Sequence, residues 1–183
     1  AGGYAPGENY LLRQFNLSTR AFEADSLVKA DQEGKLAFRL AGGGHWLGIN
    51  REAEPRAQLG MVFPNNQEHF YFEEGKTESL NFSLVNIGNA PAQEIEIIPI
   101  SRHPDLQISP EKITISALEA KAAIDSEQAF QFTFGRYSDS SFVAGVDFVI
   151  RADEQVADTL RIMAFAAPKA SYSPMEDLIL LDG

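Results

Sequence analysis

The residues with the clearest capacity for chemistry lie in the first quarter of the chain, where His45 and Trp46 follow the glycine run 42–44. A glycine run beside a histidine can offer backbone N–H groups to an oxyanion, as the oxyanion loops of esterases do. The order is the reverse of the esterase motif, in which the histidine comes first, and the sequence contains no Gly-x-Ser-x-Gly nucleophile elbow. Because glycines between strands commonly permit a turn or a bulge, we predict a structural role for this run.

Aromatic side chains offer a second candidate site. Trp46 together with Tyr71 or Tyr10 would form a platform for stacking on sugar rings, whereas a Trp buried in the core is the simpler interpretation. Tyr137 and Tyr172 are further rings that a binding surface would use to stack on sugars or to anchor an interface. The residues that we predict for ligand binding are His45, Trp46, Tyr71 and Tyr137.

The histidines do not have the spacing of metal ligands. His45, His69 and His103 lie far apart in the sequence, whereas a zinc site needs several ligands that converge on the ion and are themselves held by hydrogen bonds. Isolated histidines at the surface or at strand ends are the simpler interpretation. We therefore predict no metal site, no cofactor and no catalytic residue.

Carboxylates are so numerous that pairs of them arise by chance. A glycosidase pair must face a cleft, and nothing in the sequence fixes that geometry for Glu94 and Glu96, which we interpret as the solvent-facing side of a strand. Asp139, Asp153 and Asp158 lie near predicted hairpin turns, where loop oxygens can bind calcium. Because no regular Asp-x-Asp-x-Asp loop occurs, calcium binding stays an open alternative.

The charge of the chain argues against two classes of partner. Fifteen basic and 26 acidic side chains among 183 residues give a net charge of −11, which opposes attraction to nucleic acid or to anionic lipid. No run approaches the roughly twenty apolar residues that span a bilayer. The first residues lack the features of a signal peptide, so we expect any export signal to lie outside this sequence. The chain has no cysteine, which excludes disulfides and thiolate chemistry.

Alternation of apolar and polar residues with a period of two dominates the chain and predicts strands with one side in a core. Phe130, Phe132 and Phe134 alternate with polar residues in this way, as do Leu36 and Phe38. A first set of predicted strands covers 9–17, 26–30, 35–40, 45–50 and 57–63. A second set covers 68–72, 79–87, 93–100, 106–109, 112–116, 128–134, 142–151 and 157–166. The alanine-rich stretch 117–129 is predicted to be a loop with room for one helical turn.

The spacing of the second set is near the ~8–12 residues typical of β-sandwiches. We therefore predict an all-β fold, in which a small β-rich unit precedes an immunoglobulin-like antiparallel β-sandwich. Residues 1–63 are predicted to form a small β-rich domain or the end of a preceding domain, and residues 64–167 the sandwich. Residues 168–183 are predicted to be a linker or the start of another domain.

One stretch of the second set carries a recognisable motif. Residues 79–97, SLNFSLVNIGNAPAQEIEI, contain a strand that ends in Asn86-x-Gly88, a turn of small residues with Pro91, and a strand of alternating Ile. Gly88 can take a positive φ, Asn86 can bond its own backbone, and Pro91 fixes the exit. The pattern resembles the bacterial immunoglobulin-like modules of the CARDB type, and the resemblance covers about residues 67–166.

The resemblance implies a function as well as a fold. Modules of that family are typically non-catalytic domains of large exported bacterial proteins, and they often follow peptidase or other hydrolase domains. It therefore implies a structural or accessory module that spaces or braces neighbouring domains of the same polypeptide, in an extracellular, periplasmic or cell-surface location. The alternatives are a module that binds carbohydrate or a surface protein through exposed aromatics, and a free-standing enzyme with a pocket of converging polar groups.

Overall fold

A computed structural model of the chain describes residues 3–40, 44–64, 69–73, 75–135, 142–153 and 155–167. Its strands confirm the predicted all-β class. In chain order they are β1 (Asn9–Asn16), β2 (Ala21–Phe22), β3 (Ser26–Lys29), β4 (His45–Arg51), β5 (Leu59–Val62), β6 (His69–Glu73), β7 (Thr77–Leu80), β8 (Ser83–Asn86), β9 (Ala92–Ser101), β10 (Leu106–Ser109), β11 (Ile113–Leu118), β12 (Ala122–Asp125), β13 (Phe130–Phe134), β14 (Phe142–Ala152) and β15 (Gln155–Ala167).

Two layers of strands form the sandwich. One layer, called sheet I here, is five-stranded with the order β11-β9-β14-β15-β6. The other layer, called sheet II, consists of the ladders β12-β8-β5 and β10-β13-β7. The two ladders continue one another, because β8 follows β7 and pairs with β12, while β7 pairs with β13. β5 and β6 are consecutive in the chain but belong to different layers, with β6 running parallel to β15.

The core between the layers is built from the alternating residues. Phe130 and Phe132 of β13 are fully buried, and so are Val146, Phe148 and Ile150 of β14. The rings of Phe130 and Phe148 lie 5.4 Å apart and tilted, an arrangement that aromatic pairs favour. The period-two prediction is therefore confirmed for these strands, and the chain contains an immunoglobulin-like antiparallel β-sandwich.

The strands β1 to β4 form a further sheet, called the N-terminal sheet here, which lies on the outer face of sheet II. β4 pairs with β1 along its whole length, from Tyr10 opposite Arg51 to Asn16 opposite His45. Phe15 of this sheet packs in one apolar cluster with Val85 of sheet II. On its other face, Leu12 packs with residues of its own loops, among them Tyr4, Ala30 and Leu36.

The predicted division of the chain between residues 63 and 64 stays a prediction. β5 precedes that position in the sequence, and it pairs with β8 of sheet II from Leu59 opposite Asn86 to Val62 opposite Ser83. The predicted linker, 168–183, lies outside the described residues.

Two local predictions were wrong. Residues 35–40 do not form a strand; Leu36 packs beneath the N-terminal sheet while Leu40 is 55% exposed, so the alternation has no ladder partner. Part of the predicted loop 117–129 is strand β12, because Ala122 to Asp125 pair with the edge that β8 offers. A free hydrogen-bonding edge stabilises a strand there despite the alanine-rich composition.

Candidate functional site

The turn between β8 and β9 is organised by one buried polar side chain, Asn86. Asn86 is fully buried. Its side-chain oxygen accepts hydrogen bonds from the backbone N–H of Gly88 at 3.0 Å and of Gln58 at 3.1 Å. Its amide donates to the carbonyls of Ala90 at 2.9 Å and of Leu118 at 3.2 Å. The predicted bond from Asn86 to its own turn is confirmed, and one side chain also joins this turn to two other segments.

Gly88 is required for a different reason from the predicted one. The structure gives it no positive φ. Instead, a Cβ added there would lie 2.3 Å from the carbonyl oxygen of Arg56 and 2.4 Å from the backbone nitrogen of Gln58. Because those atoms are backbone, they cannot move aside at low cost. The Asn-x-Gly motif therefore marks a place where two chain segments touch.

Arg13 attaches the N-terminal sheet to this turn. Its Nη1 donates a hydrogen bond to the carbonyl of Gly88, and its Nε lies 3.2 Å from Asp25 Oδ2. The Arg13 side chain is only 9% exposed. Asn89 adds a bond from its side-chain amide to the carbonyl of Arg51 at 3.3 Å. The bonds therefore run in both directions between the N-terminal sheet and the turn.

Trp46 occupies the apolar part of the same contact. It is half-buried and packs with Val62, Val85 and Ile87. A Cβ added at Gly60 would lie 2.2 Å from Trp46 Cη2, so the indole ring lies directly on the β5 backbone. The structure therefore places this predicted ligand-binding residue in a packing contact between two sheets.

His45 is tied to a carboxylate. Its side chain is 3% exposed, and its Nε2 lies 2.7 Å from Oε1 of Glu23. The hydrogen bond from His45, together with a weaker one from Asn16, lowers the pKa of Glu23 below its usual range. Gly44 of the glycine run accepts a hydrogen bond at its carbonyl from the N–H of Leu17 at 3.1 Å. Residues 42 and 43 lie outside the described residues.

The remaining predicted aromatics are not brought together. Tyr71 lies on β6 of sheet I, whereas Trp46 lies on the N-terminal sheet against sheet II. Tyr71 is 68% exposed, and its ring stacks on that of Phe165 with the ring centroids 5.3 Å apart. Tyr10 is buried beneath the N-terminal sheet. Tyr137 and Tyr172 lie outside the described residues.

Sequence reasoning missed an ion cluster on the outer face of sheet I. Asp147 of β14 accepts hydrogen bonds from Arg161 at 2.5 and 3.0 Å and from Arg102 at 2.9 Å. The bonds from Arg161, and then those from Arg102, lower the pKa of Asp147 despite its burial. The sequence contains a signal for this cluster, because Asp147 interrupts an otherwise apolar strand. Arg161 lies opposite Asp147 in the next strand.

Two negative findings concern only the described residues. Within these ranges, no three His, Asp or Glu side chains form a group that could hold a metal ion. The same ranges contain no helix with the length and apolar character needed to cross a membrane. The side chain of His69 is not described.

Comparison with known proteins gives distant structural likenesses. No family model matches the chain, so the CARDB-type resemblance stays a prediction, and no curated protein matches it either. The YadV chaperone is 14% identical over 63% of this chain, with a TM-score of 0.41. The periplasmic chaperone SfaE is 12% identical over 63%, with a TM-score of 0.42. A PapD-like domain of human CEP192 is 13% identical over 63% of this chain and 87% of that domain, with a TM-score of 0.40. The chain spans 54% and 59% of the two chaperones.

Proposed function

We propose that this chain is a non-catalytic accessory module of a larger extracellular, periplasmic or cell-surface bacterial protein, and that its sandwich braces the β-structure beside it. The observation that supports bracing is the hydrogen bond from Arg13 to the carbonyl of Gly88. In the same contact between the layers, the ring of Trp46 packs on Gly60. A side chain that is 9% exposed and reaches the backbone of another layer holds the two layers in one orientation. The location and the parent protein rest on the sequence resemblance alone.

The packing adds support of a kind that a flexible linkage lacks. A Cβ at Gly48 would lie 2.9 Å from both Cγ1 and the carbonyl oxygen of Ile87, and one at Gly60 would meet Trp46. Asn50 is fully buried and its amide lies 3.4 Å from the carbonyl of Ile87. Contacts this close between layers keep the N-terminal sheet from turning on sheet II.

The test is hydrogen exchange on the full chain, read at the amides of β1 and β4 and at those of β14. Arg13→Met removes the bonds to Gly88 and Asp25, and we expect it to lower the unfolding free energy by about 2 kcal/mol. The loss should show as faster exchange in β1 and β4. Arg39→Met, at an exposed position outside the contact, serves as the matched control and should change exchange little.

A sandwich variant makes the test reciprocal. Ile150→Val removes one methylene from the sandwich core and should cost about 1 kcal/mol. Bracing requires the opening free energy of β1 and β4 to fall with that of β14. If the exchange of β1 and β4 is unchanged in Ile150→Val, and Arg13→Met leaves all three strands unchanged, the two layers are independent and the proposal is wrong.

The second candidate function is binding of carbohydrate or of a surface protein, and the exposed Tyr71 favours it. One face of its ring stacks on Phe165 and the side chain is 68% exposed, which is the geometry of an aromatic platform. A glycan array probed with the chain and with Tyr71→Ser is the direct test. Binding that disappears in Tyr71→Ser supports this function, and an empty array removes its carbohydrate version.

A further inference from the structure

The outer face of sheet I is laid out in rows that cross its strands. Ile98 of β9, Val149 of β14 and Thr159 of β15 lie side by side and form the middle row. On either side of it, rows lie two residues away, about 7 Å along the strands. One of them contains Ile100, Asp147 and Arg161, and the other contains Thr114, Glu96 and Arg151.

The charges on this face reverse sign about the middle row. Glu94 of β9 lies four residues before Ile98, and Arg102, the residue that follows the end of β9, lies four residues after it. On β14, Arg151 lies two residues from Val149 on one side and Asp147 lies two residues from it on the other. A half-turn about an axis that runs across the strands along the middle row exchanges the position of Glu94 with that of Arg102, and the position of Asp147 with that of Arg151. Two faces related in this way are complementary to each other.

The basic end of the face keeps donors that are free to bind. The Arg102 and Arg161 side chains are 63% and 54% exposed although both contact Asp147. Arg161 uses Nε and Nη2 there, and Arg102 uses Nη2. In the part of the chain that the structure describes, Nη1 of each of these two guanidinium groups makes no hydrogen bond or ion pair. Asp147 therefore fixes the direction in which these donors point.

The opposite end of the face has a carboxylate, that of Glu94, and a hollow that could receive a guanidinium group from the other copy. Glu96 is paired with Lys112, whereas the exposed Glu94 forms no ion pair within the described ranges. Both line a hollow of about 510 Å³ together with Thr114 and Arg151. Ile100, which is 48% exposed and sits beside Asp147, projects from the opposite end of the face. Projection and hollow are thus at matching distances from the middle row.

We propose that this face binds a second copy of the chain, with the two sheets stacked about the middle row and Arg102 of each copy against Glu94 of the other. Ile98 and Val149 of each copy then meet their own counterparts. A chain with a net charge of −11 repels its copies elsewhere, so that this contact is favoured over other orientations. The proposal does not depend on the bracing function.

The size of the face sets the strength of the dimer. Eight residue steps from Glu94 to Arg102 and the width of four strands give roughly 500 Å² per copy. The total, roughly 1,000 Å², is at the lower end of specific interfaces. We therefore expect a weak dimer that forms at micromolar to millimolar concentrations and weakens with added salt.

The test is sedimentation equilibrium of the full chain up to about 1 mM, with charge exchange between Arg102 and Glu94. Arg102→Glu and Glu94→Arg should each weaken the dimer about tenfold or more, and the double variant should restore it to within about threefold. Arg39→Glu makes the same charge change at an exposed position off this face and should leave the dimer unchanged. Thermal unfolding of each variant checks that it is folded.

Thr159→Glu tests the axis itself. Thr159 is exposed and lies in the middle row, so each copy would bring a carboxylate against that of its partner, and the dimer should weaken at least as much as in Arg102→Glu. A chain that stays monomeric at about 1 mM overturns the proposal. So does a dimer that Arg102→Glu and Thr159→Glu leave intact, or one that the double exchange fails to restore.

Discussion

The two outer faces of the sandwich differ in what they carry. The outer face of sheet II is covered by the N-terminal sheet and presents Val62, Val85 and Ile87 to it. The outer face of sheet I presents Asp147 with two arginines, whose side chains stay more than half exposed. The side chains at the outward-facing positions, apolar on sheet II and charged on sheet I, therefore decide which face another layer covers.

Glycine has a different meaning on each face. Gly60 of sheet II lies beneath the ring of Trp46, so that a Cβ there would lie 2.2 Å from Cη2. Gly145 of sheet I is also within a strand, and a Cβ there would have nothing within 4 Å. The first glycine is required by the layer that covers it, whereas the second is not required by packing.

Asn86→Ala should lower the unfolding free energy more than the other substitutions, because Asn86 holds together the turn on the covered side of the sandwich. The substitution leaves the N–H groups of Gly88 and Gln58 and the carbonyls of Ala90 and Leu118 without their partner. Losing several buried hydrogen bonds should lower the unfolding free energy by about 4 kcal/mol. Urea unfolding followed by circular dichroism measures the loss, and a change under about 1 kcal/mol would show that the turn does not hold the layers together.

Gly60→Ala should have the next largest effect on stability. Comparing it with Gly145→Ala tests the two faces with the same type of substitution. We expect Gly60→Ala to lower the unfolding free energy by about 2–3 kcal/mol, because the rigid indole must shift from a packed site. Gly145→Ala should change it by about 0.5 kcal/mol in the stabilising direction, since alanine restricts the unfolded chain. Thermal and urea unfolding measure both, and equal effects would contradict the difference between covered and uncovered faces.

Asp147→Asn should have the smallest effect, and one that depends on pH. The arginines lower the pKa of Asp147 in the folded state, so its contribution is complete above the unfolded pKa, about 3.9. That contribution is lost as the pH falls through the lower folded value. We expect the variant to be about 1 kcal/mol less stable than the wild type at pH 7 and the gap to close toward pH 2. Glu119→Gln, at an exposed position, should show no such gap, and a gap for Asp147→Asn that widens in acid would contradict the assignment.

Sequence reasoning succeeded where one rule of local chemistry decides the outcome. The alternation of Phe130 to Phe134 predicts a half-buried strand, and Asn86 in a turn of small residues predicts a side chain that bonds its own backbone. The same alternation over 35–40 misled, because a strand needs a partner and the sequence does not show that none is available there.

The contacts between layers were beyond sequence reasoning for a physical reason. Gly48, Gly60 and Gly88 are each required by an atom that lies far away in the chain, and the spacing of residues does not show which atom that is. The sequence favoured a buried position for Trp46 over an exposed platform, but it did not show that the indole packs on the backbone of Gly60. Asp147 alone left a signal, because a carboxylate in an apolar strand needs a basic residue beside it.

The passage of the chain from β5 in sheet II to β6 in sheet I determines how the module responds to force. β6 runs parallel to β15, with five residue pairs from Met163 opposite His69 to Ala167 opposite Glu73. A pull on the start of β6 and on the end of β15 acts in opposite directions along the two strands. The load is then shear, shared by the whole ladder at once, whereas a hairpin pulled at its open end separates one pair at a time.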